Sequence, residues 1–176
     1  MRLDENAAAF GLFHLAYANL LEKLSGAVWL IKQINQPGIQ FEGVFGLPFS
    51  KLLKALREEL DKHGGNASTD PHVQSLLYLS TKLQVLADWR NARAHPRVQI
   101  DHNGITLYDW RTRKPLSIGL DECMEKIQQA IGFGCELDRD AGGLVGSVRS
   151  DKDLDEMIDE AFKIAERFHR ERENQE

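Results

Sequence analysis

The sequence predicts a mainly α domain: a bundle of about five helices with a small β-hairpin or meander after the third. Three observations carry this. Apolar residues recur at intervals of three and four through five separate stretches, the period of a helix with one buried face. Between the third and fourth stretches the period drops to two around an Asn-Gly pair, which is a hairpin pattern. A length of 176 residues with 42% apolar side chains suits one domain, 1–176, around one core.

The first helix carries the stripe Phe10, Phe13, Tyr17, Leu20, Leu24, Ala27, Ile31 and Ile34, and Leu12, Leu21, Val28 and Leu30 widen it. So broad an apolar face predicts a central helix. Gln36-Pro37-Gly38 stops it, and residues 37–47 read as a Gly-rich loop. Pro48 suits the first turn of a second helix, where its missing N–H costs nothing. Phe49, Leu52, Leu53, Leu56 and Leu60 form that helix's buried stripe, and Gly64-Gly65 ends it. Asp70-Pro71 is a cap followed by a first helical residue, opening a third helix that turns Val73, Leu76, Leu77, Ser80, Leu83 and Ala87 inward. This helix runs into Trp89-Arg90. It cannot continue past His95, because Pro96 disfavours helical geometry at the residue before it.

Val98 and Ile100 then alternate with polar residues, Asn103-Gly104 turns the chain, and Ile105–Trp110 continues as a strand. A third short strand at 116–118 follows the turn Arg113-Lys114-Pro115. A fourth helix starts near Asp121 with the apolar Leu120, Met124, Ile127 and Ile131 on one side. Residues 132–149 are Gly-rich and aperiodic and read as a mobile loop. They lack the Gly-Lys-Ser/Thr ending of a phosphate loop. A C-terminal helix, 150–173, begins at Ser150 and buries Leu154, Met157, Ile158, Ala161, Phe162, Ala165 and Phe168.

Charge narrows the functional classes. The net charge of −5 argues against a general nucleic-acid coat. Its distribution is uneven: residues 90–114 hold six Arg or Lys against two acids, while the rest holds sixteen against twenty-five. A basic island on an acidic body suits a local anion site, and a solvated hairpin surface explains the same charges equally well. Cys123 and Cys135 have no metal or redox spacing and read as free thiols of a reducing compartment. Residues 26–31 are apolar but too short to span a bilayer, and the N-terminus lacks a signal-peptide pattern. These features predict a soluble, cytoplasmic protein with no membrane partner. His14, His63, His72, His102 and His169 show no ligand spacing, so neither metal nor cofactor is expected.

The chemistry-bearing stretch is Arg90-Asn91-Ala92-Arg93-Ala94-His95. It resembles the R-x4-6-H signature of the HEPN superfamily, in the form where a polar residue follows the Arg. Gly46-Leu47-Pro48-Phe49-Ser50 at the head of the second helix is a weaker match of the same kind, and the resemblance covers roughly residues 8–132. It implies a HEPN-like helical bundle and metal-independent endoribonuclease cleavage leaving a 2′,3′-cyclic phosphate. It also implies a symmetric homodimer whose two motifs meet in one composite cleft.

Chemistry gives each motif residue a role. His95 is the proton-transfer group near neutral pH. Arg90 offers a planar cation with paired donors for phosphate oxygens. Asn91 orients the His or the phosphate, and Arg93 and Arg97 are candidate RNA contacts. Five steps along a straight helix turn Arg90 and His95 about 140° apart, and the break at Pro96 frees His95 to swing back. Cations at a helix C-terminus also complement its dipole without catalysis. Tyr108 and Trp110 are candidate base-stacking residues or hairpin packing. Arg97 stands where HEPN toxins paired with nucleotidyltransferase antitoxins often carry Tyr, which argues against that pairing. Toxin, anti-phage or stress-response settings, with an antitoxin or defence-system partner, remain the expectation. The alternative is a non-catalytic HEPN domain serving RNA or nucleotide binding or dimerisation.

Overall fold

The first helix, α1 (Arg2–Asn35), is about 50 Å long at 1.5 Å per residue. It forms the spine of a helical bundle, with Phe13, Tyr17, Leu20, Leu24, Ala27, Val28 and Ile31 buried along one side. The computed structural model describes residues 2–94, 97–101, 104–108, 112–114 and 119–148. Around α1 stand α2 (Phe49–Asp61), α3 (Pro71–Ala94) and α4 (Leu120–Val148), and the bundle is mainly helical. Two strands, β1 (Arg97–Asp101) and β2 (Gly104–Tyr108), pair antiparallel between α3 and α4 with Val98 opposite Leu107 and Ile100 opposite Ile105. The expected third strand at 116–118 and the expected C-terminal helix 150–173 lie outside the described residues.

Pairings between side chains set the helix directions. Trp89 of α3 stacks edge-on with Phe13 at 4.8 Å and donates from Nε1 to Glu122 of α4 at 2.7 Å. Farther along, Lys23 of α1 pairs with Asp138 of α4. α1 and α4 therefore run the same way, and α3, with Ser75 bonded to Asp140, runs against both.

Local chemistry closes the connections. Gly38 takes a φ of +86°, which glycine adopts without steric cost, and turns the chain after Pro37. The carbonyl of Ile39 accepts from Trp29 Nε1 at 3.1 Å and Gln33 Nε2 at 2.7 Å, so the loop is bonded to the helix it leaves. Asp70 caps α3 by accepting from the His72 and Val73 amides at 2.7 and 3.3 Å.

Three sequence expectations need correction. The Gly-rich run read as a mobile loop is helical: α4 continues without a break to Val148. Each glycine costs a helix about 1 kcal/mol relative to alanine, but Leu137, Ala141, Leu144 and Val145 are buried along this stretch and offset that cost. Two of the glycines also admit neighbours. A Cβ at Gly143 would lie 2.3 Å from His72 Cε1, and one at Gly134 would touch Lys23 at 3.5 Å.

Second, the buried side of α4 is not the Leu120, Met124, Ile127, Ile131 face. Cys123, Ala130 and Leu137 point inward, whereas Leu120, Met124 and Ile131 are exposed and Ile127 is half-buried. Third, Leu12 lies on the open side of α1, more than half exposed. Both faces depend on where α1 and α4 meet, which periodicity within one helix does not specify.

A polar clamp joins α3 to α4. Asp140, buried, accepts from Arg139 at 2.9 and 3.0 Å and from Ser75 Oγ at 2.5 Å, with His72 Nδ1 at 3.3 Å. The Arg139 guanidinium, helped by Ser75 and His72, outweighs burial and holds this carboxyl down to about 2, against an ordinary 3.8. A depressed native pKa stabilises the fold above the unfolded value and stops doing so as pH falls through the native one. With Arg139 largely solvated, Asp140 is expected to contribute about 1–2 kcal/mol that disappears between about pH 4 and pH 2. Urea midpoints of wild type and Asp140→Asn should converge over that window. A gap that stays constant would show that Asp140 is not the group responsible.

Candidate functional site

Three helices close on a cavity of about 520 Å³. α1 contributes His14, Tyr17 and Leu21, which lie on one flank at spacings of three and four. α3 contributes Gln84, Ala87, Asp88, Arg90 and Asn91. Pro48, Phe49 and Ser50, at the head of α2, complete the wall. Phe49 packs on Tyr17 with ring centroids 5.8 Å apart, which seats the start of α2 here. The free amides of a helix N-terminus thus add partial positive charge beside Arg90.

Arg90 is held on several sides. Its Nη1 donates to Asn91 Oδ1 at 3.0 Å, and its guanidinium carbon lies 5.6 Å from the centroid of the Tyr17 ring. Its Nε is buried without a hydrogen-bond partner among the described residues. A buried N–H left unpaired is costly, and Arg93 Nε, on the side of α3 that faces α4, is buried in the same way.

Burial, more than its charged neighbours, pushes the Tyr17 hydroxyl up to about 12. His14 packs edge-on against Phe10 at 4.6 Å, and neither of its ring nitrogens is hydrogen-bonded by a described residue. Burial and then the Arg90 charge hold this imidazole below its ordinary value of 6.5.

No family model, curated protein or solved structure matches the chain.

Of the residues singled out in the sequence, Arg90 and Asn91 meet at this cavity. His95 lies outside the described residues, one position beyond the end of α3 at Ala94. Arg93 faces α4 instead. Its guanidinium lies 4.3 Å from the Trp89 ring centroid and donates to Glu122 at 2.7 Å, so a phosphate there would have to displace that carboxylate. Arg97 opens β1 opposite Tyr108, and its side chain lies outside the described residues. Among the described residues no three His, Cys, Asp or Glu side chains are grouped to hold a metal ion. No described helix is long and apolar enough to cross a membrane.

Sequence reasoning passed over His14 as a histidine without ligand spacing. The available signal was its place one turn before Tyr17, at the edge of the apolar stripe of α1. That position becomes meaningful only once α3 brings Arg90 to the same edge.

Proposed function

We propose that this chain is a metal-independent endoribonuclease of HEPN type, acting in the cytoplasm in toxin, anti-phage or stress-response roles. One observation carries the proposal: Arg90, braced by Asn91 and Tyr17, lines a cavity that also holds a histidine. In the proposed reaction a ribose 2′-oxygen loses its proton and attacks the adjacent phosphorus. The bond to the 5′-oxygen breaks, leaving a 2′,3′-cyclic phosphate. Arg90 neutralises the phosphate oxygens as charge builds on them, Asn91 fixes the guanidinium, and His95 transfers a proton. A homodimer with a composite cleft belongs to the same proposal, and sedimentation of the purified chain tests it.

The second reading is a non-catalytic HEPN domain that binds RNA or nucleotides or serves dimerisation. It is favoured by the same pairing of a cation with the aromatic wall of Tyr17 and Phe49, which suits binding without cleavage.

Purified protein incubated with end-labelled RNA in excess chelator separates the two. Fragments ending in 2′,3′-cyclic phosphate are expected, together with growth arrest on expression. RNA that is bound but left intact would sink the ribonuclease and leave the binding module.

A further inference from the structure

Transesterification of RNA moves two protons, one off the 2′-hydroxyl and one onto the departing 5′-oxygen. The motif supplies one histidine per chain, His95, which lies outside the described residues. We infer that His14 is a second catalytic residue of the Arg90 cavity, the base that takes the 2′-hydroxyl proton. This inference rests on the ribonuclease reading above.

Position is the first support. His14 lines the same cavity as Arg90, Asn91 and Tyr17, although it lies 76 positions before Arg90 in the chain. The manner in which the ring is held is the second. Phe10 and Phe13 pack against it at 4.6 and 5.9 Å, both edge-on, and fix the imidazole without using either nitrogen. The ring is half-buried and lines the cavity. Both nitrogens stay available to a ligand among the described residues.

Charge is the third support. The charged or titratable groups lining the cavity around His14 are Arg90 and Asp88 from α3 and Tyr17 from its own helix, and the α2 segment contributes none. Burial and the neighbouring guanidinium favour the neutral ring, which is the form able to accept a proton at neutral pH.

The step balances. The 2′-O–H bond breaks as N–H forms on His14, and the 2′-oxygen bonds to phosphorus. The P–O5′ bond breaks with its electron pair going to the 5′-oxygen, which takes a proton from the His95 imidazolium. Arg90 stays charged throughout.

The test measures cleavage of an RNA oligonucleotide across pH by wild type and His14→Gln, with folding checked by far-ultraviolet circular dichroism. The expected result is a kcat loss of about 10²–10⁴-fold with KM little changed. The acidic limb of the wild-type kcat/KM profile, set by protonation of His14, should be missing from the variant. In parallel, the His14 ring proton followed by NMR should titrate below its ordinary range in wild type and move upward in Arg90→Gln. A wild type that cuts RNA alongside a His14→Gln that cuts with the same rate and the same limb overturns the base assignment and leaves the ribonuclease standing. A wild type that leaves RNA intact overturns both. An unshifted His14 titration that ignores Arg90→Gln overturns the placement of the ring beside the guanidinium.

Discussion

Arg90→Ala is expected to lower RNA cleavage by about 10²–10³-fold, the usual cost of removing one preorganised donor from a developing oxyanion. Stability should change little, which sets this variant apart from an ordinary loss of packing. The guanidinium contributes a cation–π contact with Tyr17 of about 0.5–1 kcal/mol, set against the cost of a buried Nε with no partner. Arg90→Lys keeps the charge but loses the planar pair of donors, so it should recover only part of the rate. Removing the cation should also raise the titration of His14, because Arg90 now depresses it, and should move the acidic limb of any residual activity upward. The measurement is a pH–rate profile for the three proteins beside their thermal unfolding curves. Full activity in Arg90→Ala at unchanged stability would remove the proposed centre.

The largest effect on the fold is expected from Phe13→Ala. Phe13 is fully buried, with ring centroids 4.8 Å from Trp89, 5.8 Å from Tyr17 and 6.1 Å from Phe10. Deleting such a ring costs about 3–5 kcal/mol, from lost transfer energy and the void left behind. Against a total near 5–15 kcal/mol for a domain, that is a large share. Phe13→Leu, which keeps most of the volume, should cost about 1 kcal/mol. Urea unfolding followed by tryptophan fluorescence checks both. A loss below about 1 kcal/mol for Phe13→Ala would mean that the junction of α1, α3 and α4 is not packed as described.

The stripes of α1, α2 and α3 were legible because each helix buries one face, and periodicity reports such a face directly. Phe13 through Ile31, Leu52 through Leu60 and Val73 through Ala87 all point inward as their spacing requires. Their stops were equally legible: Pro37-Gly38 after α1, and Asp70-Pro71 before α3, act within a few bonds. α4 was misread because glycine content describes a chain without neighbours. In the bundle, Gly134 and Gly143 sit where Lys23 and His72 approach, and the apolar residues between them bury enough surface to hold the helix.

Half of the candidate site followed the same division. Arg90 and Asn91 were visible as adjacent letters in a motif, since they are joined by the backbone. Arg93 shared that motif but is drawn to Glu122 and the Trp89 ring, because α4 packs against that end of α3 and supplies the carboxylate, a neighbour that adjacency in sequence does not specify. His14 was invisible, since no local rule links it to a residue 76 positions away.

By itself, then, the sequence determined a mainly helical chain, the central buried stripes of its first three helices, though not the width of the one on α1, and the Arg90–Asn91 pair. All of these are set by interactions within a few residues. Only the tertiary structure decided the course and buried face of α4, the engagement of Arg93 and the meeting of His14 with Arg90. Each of those depends on which neighbour a side chain meets, and neighbours are chosen by packing across the whole bundle.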